Sequence, residues 1–144
     1  MNKLAVLVFL ALGVMAQARD RSEVTVKVTG LRNAQGVVRV SIYRDKHGFP
    51  SGTAQAVRSV EAQIVDGAAT AVFAGLDEGS YAVAAFHDEN GNGRYDSKKE
   101  GMGTSAADGM AFQNARFSVD GKKTVEVHIQ YPDEAGSRPA VAGE

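Results

Sequence analysis

Between residues 23 and 131, short runs in which every second side chain is apolar alternate with turn residues. A period of two belongs to half-buried strands, so the chain is expected to be all-β. In residues 23–30, Val24, Val26 and Val28 point one way and Thr25, Lys27 and Thr29 the other. Residues 31–36 read as a turn-like connection to a second strand over 37–43, with Val38, Val40 and Ile42 on its core face. These two strands are expected to pair as a hairpin. Residues 44–52 carry Asp45, Gly48, Pro50 and Gly52 and read as a loop, with Phe49 folding back over the core edge. A third strand is expected over 55–65, with helix an open alternative for the alanine-rich residues 54–62. Asp66-Gly67 is a two-residue hairpin signal leading into a fourth strand over 69–73.

The next landmark is a turn at 75–80 that delivers Leu76 to the core and reverses the chain into Tyr81. A tyrosine at such an entry packs its ring at a sandwich corner and bonds its hydroxyl to nearby backbone. Residues 81–86 are small or apolar on both faces, as a strand covered on both sides requires. A sixth strand is expected over 113–119, a hairpin turn at Asp120-Gly121, and a seventh strand over 124–131 with His128 outward. The long connection at 97–111 is of the kind that is functional or mobile. Seven short strands in one domain predict an antiparallel β-sandwich.

The first residues stand apart from this pattern. Lys3, an apolar run over 4–15, the small-x-small triplet Ala16-Gln17-Ala18 and the charged Arg19-Asp20 follow one another in the order of a cleavable signal peptide. The apolar run is too short to cross a bilayer as a helix. The expected layout is a signal peptide over 1–18, a domain over 19–131 and a disordered tail over 132–144. Removing Lys3 from the 16 Lys+Arg leaves 15 against 17 Asp+Glu, a charge near −2 with no basic stripe, so nucleic acid is not an expected partner. No second apolar run is long enough for a membrane span. The chain has no cysteine, which excludes both disulfides and a lipid-modified N-terminal cysteine. The expected location is therefore the periplasm or the medium, with an envelope or extracellular partner. Stability must come from the core or from a bound ion.

Chemistry concentrates in residues 86–101. Counting from Asp88, oxygen donors stand at positions 1, 3 and 5 (Asp88, Asn90, Asn92), glycine at 6 (Gly93), the Arg94 carbonyl at 7 and Asp96 at 9. This is the opening of a calcium loop. Position 12 is Lys99 rather than a bidentate glutamate, which excludes the helical calcium hand. Glu100, one residue later, or Asp108 is left to complete a shell in a β-sandwich. The expected ligands of a Ca²⁺ ion are Asp88, Asn90, Asn92, Arg94 through its carbonyl, Asp96 and Glu100. Few charges and a flexible loop predict a Kd of order 10⁻⁴–10⁻³ M. The alternative is an ion-free turn in which the same side chains bond their own backbone.

His87 is either a metal ligand or base, or a residue bonded to backbone at the strand end. Without cysteine or paired histidines, zinc and copper are not expected. Ser80, Ser97 and Ser105 lack a nucleophile-elbow context. A solvated, glycine-rich loop is a poor place to shift a carboxylate pKa for acid–base work. The chain is thus expected not to be an enzyme but a structural or binding module. The alternative is a carbohydrate or cell-envelope ligand-binding module using the 97–112 loop, with Met102, Met110 and Phe112 as its apolar surface.

Several landmarks also fall in the order of a known family. Val26-Lys27-Val28-Thr29-Gly30-Leu31, Gly36-Val37-Val38-Arg39-Val40-Ser41-Ile42-Tyr43 and Phe49-Pro50 are matched. More specific is Gly79-Ser80-Tyr81-Ala82-Val83-Ala84-Ala85-Phe86-His87-Asp88-Glu89-Asn90-Gly91-Asn92-Gly93, followed by Asp96 and Gly101. The chain resembles bacterial exported proteins of the domain of unknown function 2141. The resemblance implies an immunoglobulin-like or transthyretin-like sandwich with no established activity. Gly101-Met102-Gly103-Thr104-Ser105 departs from the family's Gly-Ile-Pro pattern after the loop.

Overall fold

A computed structural model describes residues 21–133. The expected signal peptide, and the expected tail beyond Asp133, lie outside the described residues. Eight strands are present among them: β1 (Ser22–Thr29), β2 (Val37–Tyr43), β3 (Arg58–Ala62), β4 (Ala69–Leu76), β5 (Gly79–Asp88), β6 (Met102–Thr104), β7 (Phe117–Val119) and β8 (Lys122–His128). One helical turn, α1, covers Phe112–Ala115, and a 3₁₀ turn covers Thr53–Gln55.

The strands form two sheets. One has the order β4-β1-β8, the other β3-β2-β5-β6, with β7 pairing with the first residues of β5. Inward side chains interlock between them: Val24, Val26 and Val28 from β1, Val38, Val40 and Ile42 from β2, and Phe73, Val83, Val127 and Ile129. Burying each of these contributes about 1.5–3 kcal/mol.

The expectation that β5 is covered on both sides holds. Tyr81, Val83 and Ala85 belong to the core between the sheets. Ala82, Ala84 and Phe86, on the opposite face, are also buried. The 89–116 segment supplies their cover. The Tyr95 ring lies 5.6 Å from Phe86, and the Ser105 hydroxyl takes the Val83 N–H at 2.9 Å and donates to the Ala115 carbonyl at 2.7 Å. The Tyr81 hydroxyl donates to the Asp77 carbonyl at 2.7 Å, which is the expected corner bond. Phe49 packs edge-on against Tyr43 and Phe112, with centroids 5.3 and 5.4 Å away.

Strand pairing departs from the sequence reading in three ways. First, β1 and β2 are not a hairpin. β1 lies between β4 and β8, and β2 between β3 and β5, so residues 30–36 arch from one sheet to the other. Second, Asp66-Gly67 is a genuine turn, with φ of 51° and 75° and one bridge from Val65 to Ala68. The strands beyond it separate into different sheets. Third, Asp120-Gly121 also joins different sheets, and β8 runs parallel to β1. The Glu23 N–H donates to the Gly121 carbonyl at 3.0 Å and the Gly121 N–H to the Ser22 hydroxyl at 3.0 Å. Both strands therefore start side by side at the same end, and the sandwich is mixed rather than purely antiparallel.

The remaining differences are local. The third strand is only five residues long and follows a 3₁₀ turn. The expected strand at 113–119 divides into α1 and β7. The additional strand, β6, lies inside the connection expected at 97–111. It forms because Gly103 has no side chain: a Cβ there would strike the His128 carbonyl. Met102 N–H and Gln130 N–H each donate to the other's carbonyl at 3.0 Å, which ties the two sheets together at this edge.

Candidate functional site

β5 runs directly into the 88–100 loop, and its alternation continues to its last residue. His87 N–H donates to the Gly101 carbonyl at 2.9 Å and closes the neck of the loop. His87 then faces the core and Asp88 the opposite face.

His87 is 0% exposed. Its Nε2 lies 2.6 Å from the Gln35 carbonyl, which only accepts, so Nε2 carries a proton and donates. Nδ1 lies 2.7 Å from the Tyr131 hydroxyl. That hydroxyl oxygen also accepts the Arg32 N–H at 3.2 Å. With both ring nitrogens engaged inside the fold, His87 clasps β5, the 30–36 arch and the segment just beyond β8.

Asp88 is also 0% exposed. Its Oδ1 accepts the Asn92 N–H at 3.1 Å. Its Oδ2 accepts the Gly93 N–H at 2.9 Å and Arg39 Nε at 2.7 Å. Burial pushes the carboxyl up, but Arg39 and the two N–H donors outweigh it and hold it below the usual range. The hydrogen bond to Asp88 in turn raises Arg39. Next along the loop, Asn90 Oδ1 accepts the Asn92 N–H at 3.1 Å and Asn92 Oδ1 accepts the Arg94 N–H at 2.9 Å. Gly93 makes the bend, at φ 77°.

The second half is built on Asp96. Its Oδ1 accepts the Lys98 N–H at 3.0 Å, its carbonyl accepts the Glu100 N–H at 2.8 Å, and its N–H donates to Glu100 Oε2 at 2.9 Å. Glu100 is 3% exposed, and its other oxygen, Oε1, is buried with no hydrogen-bond partner. Burial, and then the charges of Glu100 and Asp96, raise the Tyr95 phenol.

The predicted ligands thus form two nests, 88–94 and 96–100. Among the described residues no group of three His, Cys, Asp and Glu stands together as a metal cluster. Any cation shell here would combine carboxylates with asparagine and backbone oxygens. Asp108 is not part of either nest. It lines a separate groove of about 810 Å³ with Thr29, Thr104, Met110, Glu126 and His128.

Sequence reasoning missed the two arginines that hold the loop. Arg39, on the outer face of β2, bridges Asp88 and Glu61. Arg32 donates to Glu89 Oε1 at 2.7 Å and to the Lys99 carbonyl at 2.9 Å, and its guanidinium lies 4.4 Å from the centre of the Tyr131 ring. Burial raises Glu89, but Arg32 and Asn33 outweigh it and lower the carboxyl. The alternation of the second strand places Arg39 outward, but its partner depends on pairing that local pattern does not encode.

Comparison with known proteins adds the family. No curated protein matches the chain. A DUF3823 family protein from Parabacteroides merdae, known from a crystal structure, is similar at 15% identity and a TM-score of 0.35, over 76% of this chain and 46% of that one. At that score it carries no weight for this fold. Residues 26–127, from β1 into β8, match the family described as uncharacterized protein conserved in bacteria, DUF2141. The chain belongs to the DUF2141 family.

Proposed function

We propose that this protein is an exported, non-catalytic β-sandwich module in which the 88–100 loop holds a structural Ca²⁺ ion. The observation that carries the reading is Glu100 Oε1, a carboxylate oxygen buried without a partner while Oε2 is tied to the loop's own N–H. Leaving such an oxygen bare is costly, and a hard cation removes the cost. The donor set supports the same ion. Asp88, Asn90, Asn92 and Asp96 each use part of their acceptor capacity on backbone N–H groups and retain lone pairs. A loop with few carboxylates makes a weak site, with Kd about 10⁻⁴ M or above. At about 1 mM calcium and a Kd near 0.1 mM, binding stabilises the fold by roughly 1.4 kcal/mol. For a domain of this size that is about 6 °C in Tm.

Thermal unfolding in millimolar calcium and then in chelator tests this. The expected result is a rise of several degrees that chelator reverses, with Asp88→Ala and Glu100→Gln abolishing it. An unchanged Tm of the parent protein in about 10 mM calcium, tenfold above the upper end of the expected Kd range, removes the ion from the proposal. The non-catalytic part is supported by His87, whose nitrogens both face protein groups. Hydrolase activity lost in His87→Ala would overturn that part.

A second reading, a carbohydrate or envelope-polymer binder, draws on the groove of about 810 Å³ beside β8, with polar side chains and Met110 at its surface. Met102 is buried and Phe112 packs edge-on against Phe49; neither lines this groove. A glycan array in which Glu126→Ala binds as the parent does would count against it.

A further inference from the structure

Among the described residues, β8 is a long strand whose free edge nothing guards. The other sheet ends are short or covered. β3 has five residues, and β6 and β7 have three each. On β4, Arg58 Nη1 donates to the Ala74 carbonyl at 2.8 Å, and the pairing with β1 breaks register between Ser22 and Val24. β8 runs seven residues without proline or glycine, in unbroken register with β1. Just beyond it, the Ile129 N–H donates to the Thr29 carbonyl at 2.9 Å, while the Gln130 N–H donates to the Met102 carbonyl on the other side. By that alternation Lys122, Thr124 and Glu126 turn their N–H and C=O groups away from β1, where the sheet has no further strand. A row of unpaired backbone groups is a template for another strand.

We propose that the occupant of this edge is the same edge of a second copy of the chain. Two β8 strands pair antiparallel about a two-fold axis at Thr124 and join their three-stranded sheets into one continuous sheet.

Charge selects both the partner and the register. In an antiparallel pair of identical strands, each residue on one side meets its mirror position about the axis. An axis at Lys123 or at Glu126 sets like charges directly opposite each other, which is destabilising. An axis at Val125 sets Lys122 against His128 and Thr124 against Glu126, with no carboxylate beside the lysine. An axis at Thr124 sets Lys122 opposite Glu126 twice, with threonine on threonine between them. Both charged side chains are exposed, and neither has an ion-pair partner among the described residues of its own chain. The register with β1 extends the pattern, since Lys27 lies beside Glu126 and Glu23 beside Lys122 on the same outer face. Each row across the joined sheets then reads Lys27, Glu126, Lys122, Glu23, alternating in sign, with the first two from one copy and the last two from the other. Glu126 also lines the groove of about 810 Å³, whose walls carry Asp108 but neither lysine nor arginine, which favours an arriving ammonium group.

β6 sets the limit of the contact. Met102 takes the edge at Gln130, and Gly103 lies against the His128 carbonyl, so the stretch 122–126 is what remains free. Lys122 with Glu126, and Thr124 with its own copy, exchange paired backbone hydrogen bonds there. An interface of this size gives a reversible dimer, not an obligate one. It uses no residue of the 88–100 loop, so its fate is independent of the calcium reading.

Sedimentation equilibrium of the full-length protein from about 10 μM to about 1 mM tests this, because a small interface belongs to that affinity range. The parent is expected to pass from monomer to dimer. Glu126→Lys leaves lysine at both positions and Lys122→Glu leaves glutamate at both. Each alone is expected to dimerise about tenfold more weakly or worse, and an equal mixture of the two is expected to form a heterodimer within about threefold of the parent affinity. Both substitutions are at exposed side chains, and circular dichroism like the parent's shows that the fold is kept. Thr124→Cys puts one thiol on the axis in a chain without cysteine, with facing Cα atoms about 5.5 Å apart, as a disulfide requires. It is expected to cross-link on oxidation, while Thr70→Cys, on β4, stays monomeric. A parent that remains monomeric at about 1 mM overturns the proposal, as does a dimer that keeps its affinity in both charge variants. Loss of the dimer in both variants without recovery on mixing refutes the antiparallel register.

Discussion

Removing one hydroxyl, in Tyr131→Phe, decides whether His87 is a structural clasp. The ring stays, and with it the Arg32 guanidinium stacked 4.4 Å from its centre. Among the described residues the hydroxyl's bond to His87 Nδ1 at 2.7 Å and its bond from the Arg32 N–H at 3.2 Å go. The first loss leaves a nitrogen of a 0% exposed imidazole without a partner, which costs about 1–3 kcal/mol. The second involves a partly buried N–H and adds about 0.5–1.5 kcal/mol. The total is about 1.5–4.5 kcal/mol, or roughly 6–18 °C in Tm for a domain of this size. Tyr43→Phe is the matched control. It removes the bond to the Pro50 carbonyl at 3.2 Å and a hydroxyl contact with Ser41, touches no histidine, and is expected to cost about 1 kcal/mol. Urea unfolding at neutral pH, with the same m-value in all three proteins, gives both numbers. A Tyr131→Phe loss no larger than that of Tyr43→Phe would refute the clasp and return His87 to consideration as a chemically available group. Nitrogen NMR of the parent is expected to place the imidazole proton on Nε2.

Two further outcomes follow from the loop and its edge strand. Gly103→Ala sets a Cβ against the His128 carbonyl, a backbone atom that cannot rotate away, so β6 must move off β8. The expected loss is about 1–3 kcal/mol by denaturant melt, together with faster hydrogen exchange at Met102 and Gln130. Stability should also fall in acid. Asp88 and Glu89 are held below the usual carboxylate range in the folded state. Their contribution is complete above the unfolded values near about 4 and is lost as pH falls through the lower folded values. Urea melts between pH 7 and pH 2 should show this slope, and Asp88→Asn should make it shallower.

Strand positions were legible because alternation is local. Val24, Val26 and Val28, or Val38, Val40 and Ile42, declare their inward face without reference to anything else. Strand neighbours were not legible. The turns at Asp66-Gly67 and Asp120-Gly121 have the expected chemistry, yet each connects two sheets, because turn residues fix a reversal of backbone direction and not the sheet that the following strand joins. Residues 112–115 illustrate a second limit. Phe112 and Ala115, three apart, suit a helical turn, but a run of four residues is too short for its period to be read against the alternation of Ala115, Phe117 and Val119 that follows. β6 is a third case. Nothing in Met102-Gly103-Thr104 marks a strand, which exists only because Gly103 admits the backbone of β8.

The candidate site divides along the same line. Donor spacing from Asp88 to Asp96 could be read directly, and the turns that spacing implies are formed. The charges that hold the loop lie 49 residues from their partner for Arg39 and 57 for Arg32, and reach it through sheet register and through the 30–36 arch respectively. The parity of β5 explains how one loop can have two independent anchors. His87 and Asp88 are consecutive, so they fall on opposite faces: one meets Tyr131 and Gln35 inside the sandwich, the other meets Arg39 outside it. A change at one anchor should therefore leave the other's chemistry in place. Combining Tyr131→Phe with Arg39→Gln should give stability losses in chelator that add within about 0.5 kcal/mol, as for separate networks. A coupling well above that would mean that the strand end responds as a unit, and that cation entry at Asp88 is felt in the core through His87.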